Sequence, residues 1–169
     1  KQRLFLLVRE GKPDEAAALA REHFTEMPGV IIELARALAE AGAAEYGVAL
    51  LTELAKSEDS HPGYVEWLAE YHRKSGDPEK ALTWQRQVFL GSPTVKSFRV
   101  LREVSERIGV WQEVRTGVLK ELEERNDIGA LVEIALHEGD VARALELLPR
   151  APRGDWRDYR WEVARAAEK

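Results

Sequence analysis

The sequence predicts an all-α fold, in which about five helical hairpins stack into a superhelix that ends in one further helix. Five glycines recur along the chain at intervals of 31, 34, 33 and 30 residues, and each separates two amphipathic segments. They are Gly11, Gly42, Gly76, Gly109 and Gly139. Ala, Leu, Glu and Arg dominate the composition, which favours helix. We therefore expect residues 1–169 to form a single helical-repeat domain, because helix pairs of this period stack to bury their apolar faces.

The helices of the five hairpins follow from the amphipathic segments on either side of each glycine. They are predicted over residues 4–10 and 14–24, 30–41 and 44–56, 64–75 and 79–90, 94–108 and 110–124, and 128–138 and 141–148. Residues 27–29 are expected to end a helix, and the polar segment 57–63 is expected to be a loop. A last helix is predicted over 155–169, where Trp156, Tyr159 and Val163 share one face.

The third hairpin has the clearest turn. Gly76 can adopt the left-handed backbone that follows a helix end, and Asp77 can cap the next helix. Pro78 suits the first position of that helix, where its missing N–H costs nothing. Thr94, after Pro93, is likewise expected to cap a helix.

A small residue recurs five positions after the turn glycine, where two helices must approach closely. These residues are Ala16, Gly47, Ala81 and Ala144, with Val114 as the exception. The spacing from turn to proline also recurs, because 17 residues separate Gly11 from Pro28 and Gly76 from Pro93. Together these features resemble the tetratricopeptide pattern with degenerate repeats. The resemblance implies a tetratricopeptide-like superhelix, that is, a right-handed solenoid.

The second half of the chain carries a more specific resemblance. Its segments are 97–103 (SFRVLRE), 109–111 (GVW), 114–115 (VR) and 131–141 (LVEIALHEGDV), with Trp84 and Pro93 upstream. They resemble the helical region that follows the zinc finger in bacterial SWIM zinc-finger proteins, best between about residues 64 and 165. The resemblance implies a partner-binding segment of a larger protein that acts in protein or DNA interactions, sometimes beside helicase-type ATPases. That family binds zinc through a Cys-x-Cys and Cys-x-His module, and this chain has no cysteine, so no zinc ligand carries over.

The charge of the chain argues against nucleic-acid binding through bulk charge, because its net value is −5. The distribution is uneven: residues 1–62 carry a net charge of −4, residues 94–120 carry +3 and residues 121–149 carry −6. Such patches are most often solvated surfaces. The absence of cysteine fits a reducing cytoplasm, and no apolar stretch approaches the ~18 residues of a membrane helix. We therefore expect a cytoplasmic protein with no membrane partner and no direct nucleic-acid binding.

No pattern of catalytic or metal-binding residues stands out. The four histidines, at positions 23, 61, 72 and 137, include no pair four residues apart, and there is no Gly-rich phosphate loop. Glu66 and Glu70 lie four residues apart on one helix, as paired carboxylates can in acid–base catalysis. The cations near them, Arg36, Arg73 and Lys74, indicate an ion-paired helix surface instead. We expect no enzyme activity, no cofactor and no metal.

A tetratricopeptide-like register would place the first helix of each pair along a concave groove. The polar side chains expected to face that groove are Arg36, Glu70, Arg73, Arg99, Glu103, Glu106, Glu133 and His137. A lining of mixed sign suits a charged peptide or protein segment. Ordinary solvation of the same residues accounts for the pattern equally well.

The tryptophans leave open which surface makes contacts. Trp84 and Trp111 are expected to fill gaps between stacked helix pairs. The positions of Trp67 and Trp161 are open, and an exposed Trp161 would make the terminal helix the interface.

We expect a non-catalytic protein–protein interaction scaffold within a SWIM-type multidomain protein, with a protein or peptide partner. One alternative is a regulatory sensor domain that holds a peptide or small ligand in a closed pocket. The other is a nucleic-acid-associated module that uses the basic stretch 94–120. That function would require its cations to align on one surface: Lys96, Arg99, Arg102, Arg107 and Arg115.

Overall fold

The structure is a computed structural model that describes residues 1–57, 59–150 and 163–166. The described residues form α-helices and one short 3-10 turn, with no strand among them. The predicted all-α class is therefore confirmed. The chain divides into two compact units, Lys1–Trp84 and Gln85–Lys169.

The first unit is built of five helices and the first half of a sixth. They are α1 (Gln2–Arg9), α2 (Pro13–His23), α3 (Pro28–Glu40), α4 (Ala44–Leu54), α5 (Pro62–Ser75) and α6 (Pro78–Gly91), which contains the unit boundary. The helices in contact are adjacent or next-but-one in the chain. α1 packs on α2 and α3, α2 packs on α4, and both α3 and α4 pack on α5. The hairpin of α3 and α4 is the most extensive of these pairs. A cluster of buried aliphatic side chains, including Ile31, Leu34 and Leu50, fills the space between them.

Up to Arg150, the second unit contains the rest of α6 and four further helices. They are α7 (Val95–Arg107), α8 (Trp111–Glu124), α9 (Ile128–His137) and α10 (Val141–Leu147), with a 3-10 turn at Leu148–Arg150. Here α7 packs on α8 and α9, α8 packs on α9, and α9 packs on α10. Aromatic contacts hold its core, since the ring of Phe98 lies 5.7 Å from that of Phe89 and 5.2 Å from that of Trp111.

The predicted glycine turns are all present, and a sixth turn of the same kind was missed. All five turn glycines have a left-handed φ, between 71° at Gly11 and 78° at Gly42. In each turn the next residue donates its backbone N–H to the carbonyl five residues earlier, as Asp77 does to His72 at 3.0 Å. Between α8 and α9 the left-handed residue is Asn126, with φ 56°, and Asp127 makes the corresponding bond to Leu122. Asparagine tolerates this conformation better than most residues, so a search for glycine alone overlooks it.

The small residues after the turns lie in the interior of the protein. Ala16, Ala81 and Ala144 are fully buried, whereas the exception, Val114, is only half-buried. Gly47 brings α4 closest to α3, because a Cβ built on Gly47 would lie 3.0 Å from the Cα of Ala35. The predicted close approach of two helices is therefore confirmed at Gly47, and the three alanines are confirmed only as buried.

Two prolines begin helices that the sequence prediction started later. Pro28 was expected to end a helix and Pro62 to lie in a loop, but they are the first residues of α3 and α5. A proline at the first helical position loses no hydrogen bond, so the helix extends back to it. The predicted caps are confirmed: Asp77 accepts a hydrogen bond from the backbone of Lys80, and Thr94 forms a reciprocal capping box with Ser97.

The aromatic predictions are confirmed where the structure describes them. Trp111 is buried, and the half-buried Trp84 packs against the core of the first unit. Of the predicted terminal helix, residues 163–166 are helical and Val163 is buried. The described residues do not include Trp156, Tyr159 and Trp161. The prediction that an exposed Trp161 would make the terminal helix an interface therefore falls outside them.

Candidate functional site

The first unit contains a cleft of about 740 Å³ between α3 and α5, which we call the α3–α5 cleft. Its lining residues are Ile32, Arg36, Ala39 and Glu40 from α3, and His61, Gly63, Glu66, Trp67, Glu70, Tyr71 and Lys74 from α5 and its N-cap. The volume lies within the range of pockets that hold ligands in other proteins.

Helical periodicity explains why these residues share one surface. On α3 the lining positions 32, 36, 39 and 40 recur every three or four residues, and those on α5 do the same from Gly63 to Lys74. The neighbouring face of each helix is buried, at Leu34 and Leu38 on α3 and at Leu68 on α5. Packing of these buried faces therefore turns the lining faces of both helices towards the cleft.

The two helices approach each other closely where α5 begins. A Cβ built on Gly63 would lie 2.8 Å from Cδ1 of Ile32, so the absence of a side chain lets α5 approach α3 there. His61 caps α5, because its Nδ1 accepts a hydrogen bond from the backbone N–H of Gly63 at 3.1 Å. The ring of His61 also lies 5.7 Å from that of Tyr64.

Two aromatic rings form the apolar part of the lining. Trp67 and Tyr71 stack with their centroids 5.1 Å apart and their planes only 5° from parallel. They lie four residues apart on α5, which places one ring above the other. Trp67 also packs against the buried cluster of the first unit, and Tyr71 meets the edge of His72 at 5.3 Å. Because these contacts hold both rings in place, the cleft has a preformed aromatic surface.

The charged groups of the cleft fall into two sets. Glu70 is neutralised, since its carboxylate accepts hydrogen bonds from Arg73 at 2.8–3.0 Å and lies 3.1 Å from Nζ of Lys74. Burial raises the pKa of Glu70, but the hydrogen bonds from both cations outweigh that effect and hold its pKa below the usual value.

The second set has no such partners. Arg36, Glu40 and Glu66 are exposed, and no oppositely charged group lies within 4.0 Å of them in the part of the chain that the structure describes. Arg36 therefore does not join the ion pairs expected around Glu66 and Glu70. These three side chains are available to a ligand without breaking an existing ion pair.

His72 lies next to the cleft but does not line it. Its side chain is buried, and its Nδ1 is 4.0 Å from Oδ2 of Asp77. Burial lowers the pKa of His72, although the nearby carboxylate of Asp77 acts in the opposite direction. The imidazole is therefore neutral at pH 7 and belongs to the packing of the first unit.

The predicted groove residues divide between the two units. Arg36 and Glu70 line the α3–α5 cleft, and Arg73 lies beside it, bonded to Glu70. In the second unit Glu103 is bonded to Arg107 and Glu106 to Arg102. The remaining predicted residues are Arg99 and His137, which are exposed, and Glu133, which is half-buried.

Among the polar and aromatic lining residues, six were not predicted to face a groove: Glu40, His61, Glu66, Trp67, Tyr71 and Lys74. A signal for most of them was present. Glu40 lies four residues after Arg36, and Trp67, Glu70, Tyr71 and Lys74 repeat the same spacing on α5. One helical turn from Arg36 or Glu70 reaches Glu40, Glu66, Trp67 and Lys74, and one turn from Trp67 reaches Tyr71. This spacing does not identify His61, which precedes the helix.

The basic stretch 94–120 is largely occupied by ion pairs. Arg102 pairs with Glu106, and Arg107 pairs with Glu103, each within α7. Arg115 forms two hydrogen bonds with Glu138, the C-cap residue of α9, and these bonds raise the pKa of the Arg115 guanidinium. Three of the five cations considered for nucleic-acid binding are therefore paired within the protein.

The described residues contain no group of three His, Cys, Asp or Glu side chains that could hold a metal ion. Among the same residues, no helix is both long enough and apolar enough to cross a bilayer. No family model matches the chain, and neither a curated protein nor a solved structure matches it. The geometry of the α3–α5 cleft therefore carries the functional argument.

Proposed function

We propose that the protein is a non-catalytic, tetratricopeptide-like scaffold that binds an extended segment of a partner protein in the α3–α5 cleft. The observation that carries this proposal is the cleft itself, with its stacked Trp67 and Tyr71 and its unpaired charges on either side. Aromatic side chains supply large contact area at small entropic cost, and charged groups around them provide specificity.

The repeat architecture is supported by two regularities. Within each unit, contacts run between helices that are adjacent or next-but-one, which is the pattern of stacked hairpins. Six turns also share one hydrogen-bonding geometry, five with glycine and one with Asn126. In such an array α3 and α5 would be the first helices of the second and third hairpins, which are the helices that line a tetratricopeptide-like groove.

The exposure of the lining favours a scaffold over a sensor domain. A sensor would hold its ligand in a closed pocket, whereas five lining residues here are exposed: Arg36, Glu40, His61, Glu66 and Lys74. An open cleft can admit a chain that enters at one end and leaves at the other. Nucleic-acid association is not favoured, because Arg102, Arg107 and Arg115 are paired with carboxylates.

We also propose, from the resemblance of residues 64–165, that this scaffold works within a larger SWIM-type protein. Its role there would be to hold a partner protein. This proposal supplies no metal site in the chain itself, which has no cysteine.

The test is a selection of random peptides displayed on phage against the immobilised protein, followed by titration of labelled synthetic peptides. Tyr71→Ser removes half of the aromatic pair without removing Trp67, which also packs in the core. We expect selected peptides to bind this variant on the order of tenfold more weakly than the wild type.

Leu6→Ser is the matched control. Leu6 is an apolar residue on α1 that is 54% exposed and does not line the cleft. Its replacement should leave peptide affinity unchanged. Peptides that bind Tyr71→Ser as tightly as the wild type, with both variants folded by circular dichroism, would contradict the proposed site.

A further inference from the structure

We propose that the segment bound in the α3–α5 cleft is basic, with a lysine or arginine side chain lying against the Trp67–Tyr71 pair and its charge met by Glu66 and Glu40. This inference rests on the proposed function and adds the chemistry of the partner. It follows from the charge of the first unit, the ion pairs inside the cleft and the register of its two helices.

The whole net charge of the protein resides in the first unit. Lys1–Trp84 contains 10 Lys and Arg against 15 Asp and Glu, a net charge of −5. Gln85–Lys169 contains 15 of each, a net charge of zero. The unit that holds the cleft therefore attracts cationic segments at long range, which raises their rate of association.

Within the cleft, the carboxylates that lack ion pairs outnumber the cations that lack them. Glu70 and Lys74 neutralise each other, with Arg73 as a second partner of Glu70. Glu40 and Glu66 remain, opposed only by Arg36, among the described lining residues. A cationic ligand would gain two carboxylates, whereas an anionic ligand would gain one guanidinium.

The helix register places both carboxylates beside the rings. α4 lies between α3 and α5 in the chain and packs on both, so we infer that α3 and α5 run in the same direction. Ile32 meets Gly63 near the starts of the two helices. Arg36 and Trp67 each lie four residues beyond that contact, and Glu40 and Tyr71 each lie eight residues beyond it. At 1.5 Å per residue these pairs lie roughly 6 Å and 12 Å along the cleft.

This arrangement suits a lysine or arginine side chain. Glu66 is adjacent to Trp67, and Glu40 is level with Tyr71, so a cation near the rings lies between two carboxylates. Indole and phenol rings attract a cation to within about 6 Å of their centroids. Arg36, level with Trp67, can donate to a backbone carbonyl of the extended segment.

The experiment is a set of peptide libraries in which one central position is fixed as Arg, Lys, Leu, Trp or Glu and its neighbours are random. Binding is measured by fluorescence anisotropy. We expect the Arg and Lys libraries to bind best, and their binding to weaken as the salt concentration rises from about 0.05 to 0.5 M. In the double variant Glu40→Gln and Glu66→Gln, binding of the best basic peptide should fall on the order of tenfold, as expected for two exposed charge pairs.

Glu45→Gln is the control for long-range charge. Glu45 is exposed at the start of α4, outside the cleft, and its replacement removes one negative charge from the same unit. It should change affinity less than twofold. An equal loss in Glu45→Gln and in Glu66→Gln would overturn the local role of the cleft carboxylates.

The remaining outcomes separate this inference from the proposed function. Preference for the Glu library, with binding lost in Arg36→Glu, would overturn the inference and leave the scaffold proposal standing. Preference for the Leu or Trp libraries without salt dependence would do the same. Failure of every library to bind would overturn both.

Discussion

Gly47→Ala tests the closest helix approach in the first unit. Gly47 lies inside α4, where α3 and α4 form the most extensive hairpin of the unit. The added Cβ would lie 3.0 Å from the Cα and 3.2 Å from the carbonyl oxygen of Ala35. Both atoms belong to the backbone of α3, so no side-chain rotation can relieve the contact.

Two effects of opposite sign decide the magnitude. Alanine is the better helix former, which alone would stabilise α4 by about 0.5–1 kcal/mol. Overpacking of a buried contact costs about 1–3 kcal/mol, because the helices must separate to restore ordinary van der Waals distance. We expect the second effect to exceed the first, and Gly47→Ala to lower the free energy of unfolding by about 1–2 kcal/mol.

Urea denaturation followed by circular dichroism measures this difference. Gly117→Ala is the matched control, since Gly117 lies inside α8 and the nearest atom to its added Cβ is Nη2 of Arg86 at 4.0 Å. That variant should be more stable than the wild type by about 0.5–1 kcal/mol, through helix propensity alone. If Gly47→Ala is stabilised to the same extent, α3 and α4 do not approach as described and the reasoning is refuted.

Three further predictions follow from the same packing. Ala81→Leu should lower the free energy of unfolding by about 1–3 kcal/mol, because Ala81 is fully buried; an unchanged urea midpoint would contradict this. Gly76→Ala should lower the free energy of unfolding by about 1 kcal/mol through backbone strain alone, because φ is 77° there and no atom within 4 Å would clash with the added Cβ. Gly91 also has no atom within 4 Å of its added Cβ but lacks a left-handed φ, so Gly91→Ala should be nearly neutral. Burial lowers the pKa of His72 below 6.5, so the imidazole binds a proton more readily in the unfolded chain than in the folded one, and stability should fall as the pH drops below about 6.5. In His72→Gln the thermal midpoint should therefore change less between pH 7 and pH 5 than it does in the wild type. If the variant shows the same pH dependence as the wild type, His72 is not responsible.

Most of the fold could be predicted because its turns are local. A glycine after an amphipathic segment has one main structural use, the left-handed helix terminus, and five such glycines in near-equal steps define the hairpins. The turn at Asn126 was not predicted, because asparagine occurs in helices, caps and loops as well as in turns. Only its left-handed φ identifies it as the residue that ends α8. The starts of α3 and α5 were predicted too late, because a proline in the sequence can either end one helix or begin the next. The structure shows that Pro28 and Pro62 begin helices.

The candidate site could be predicted only in part because a cleft depends on tertiary contacts. The sequence selected Arg36 and Glu70 by helix face, and both line the cleft. It did not reveal that Arg73 is held by Glu70 or that Trp67 stacks on Tyr71, because rotamers decide both contacts. The predicted residues of the second unit were chosen on the same principle, but two of their carboxylates, Glu103 and Glu106, form ion pairs within α7.

Binding of the partner segment in the α3–α5 cleft can be observed directly in a ¹H–¹⁵N correlation spectrum of the labelled protein, recorded as a selected basic peptide is added. We expect the largest shift changes in the indole N–H of Trp67 and in the backbone amides of α3 and α5 near Arg36 and Tyr71. The indole signals of Trp84 and Trp111, which do not line the cleft, should move little. Changes confined to α7 and α9, or to residues 155–169, with the α3 and α5 signals unmoved, would contradict the account.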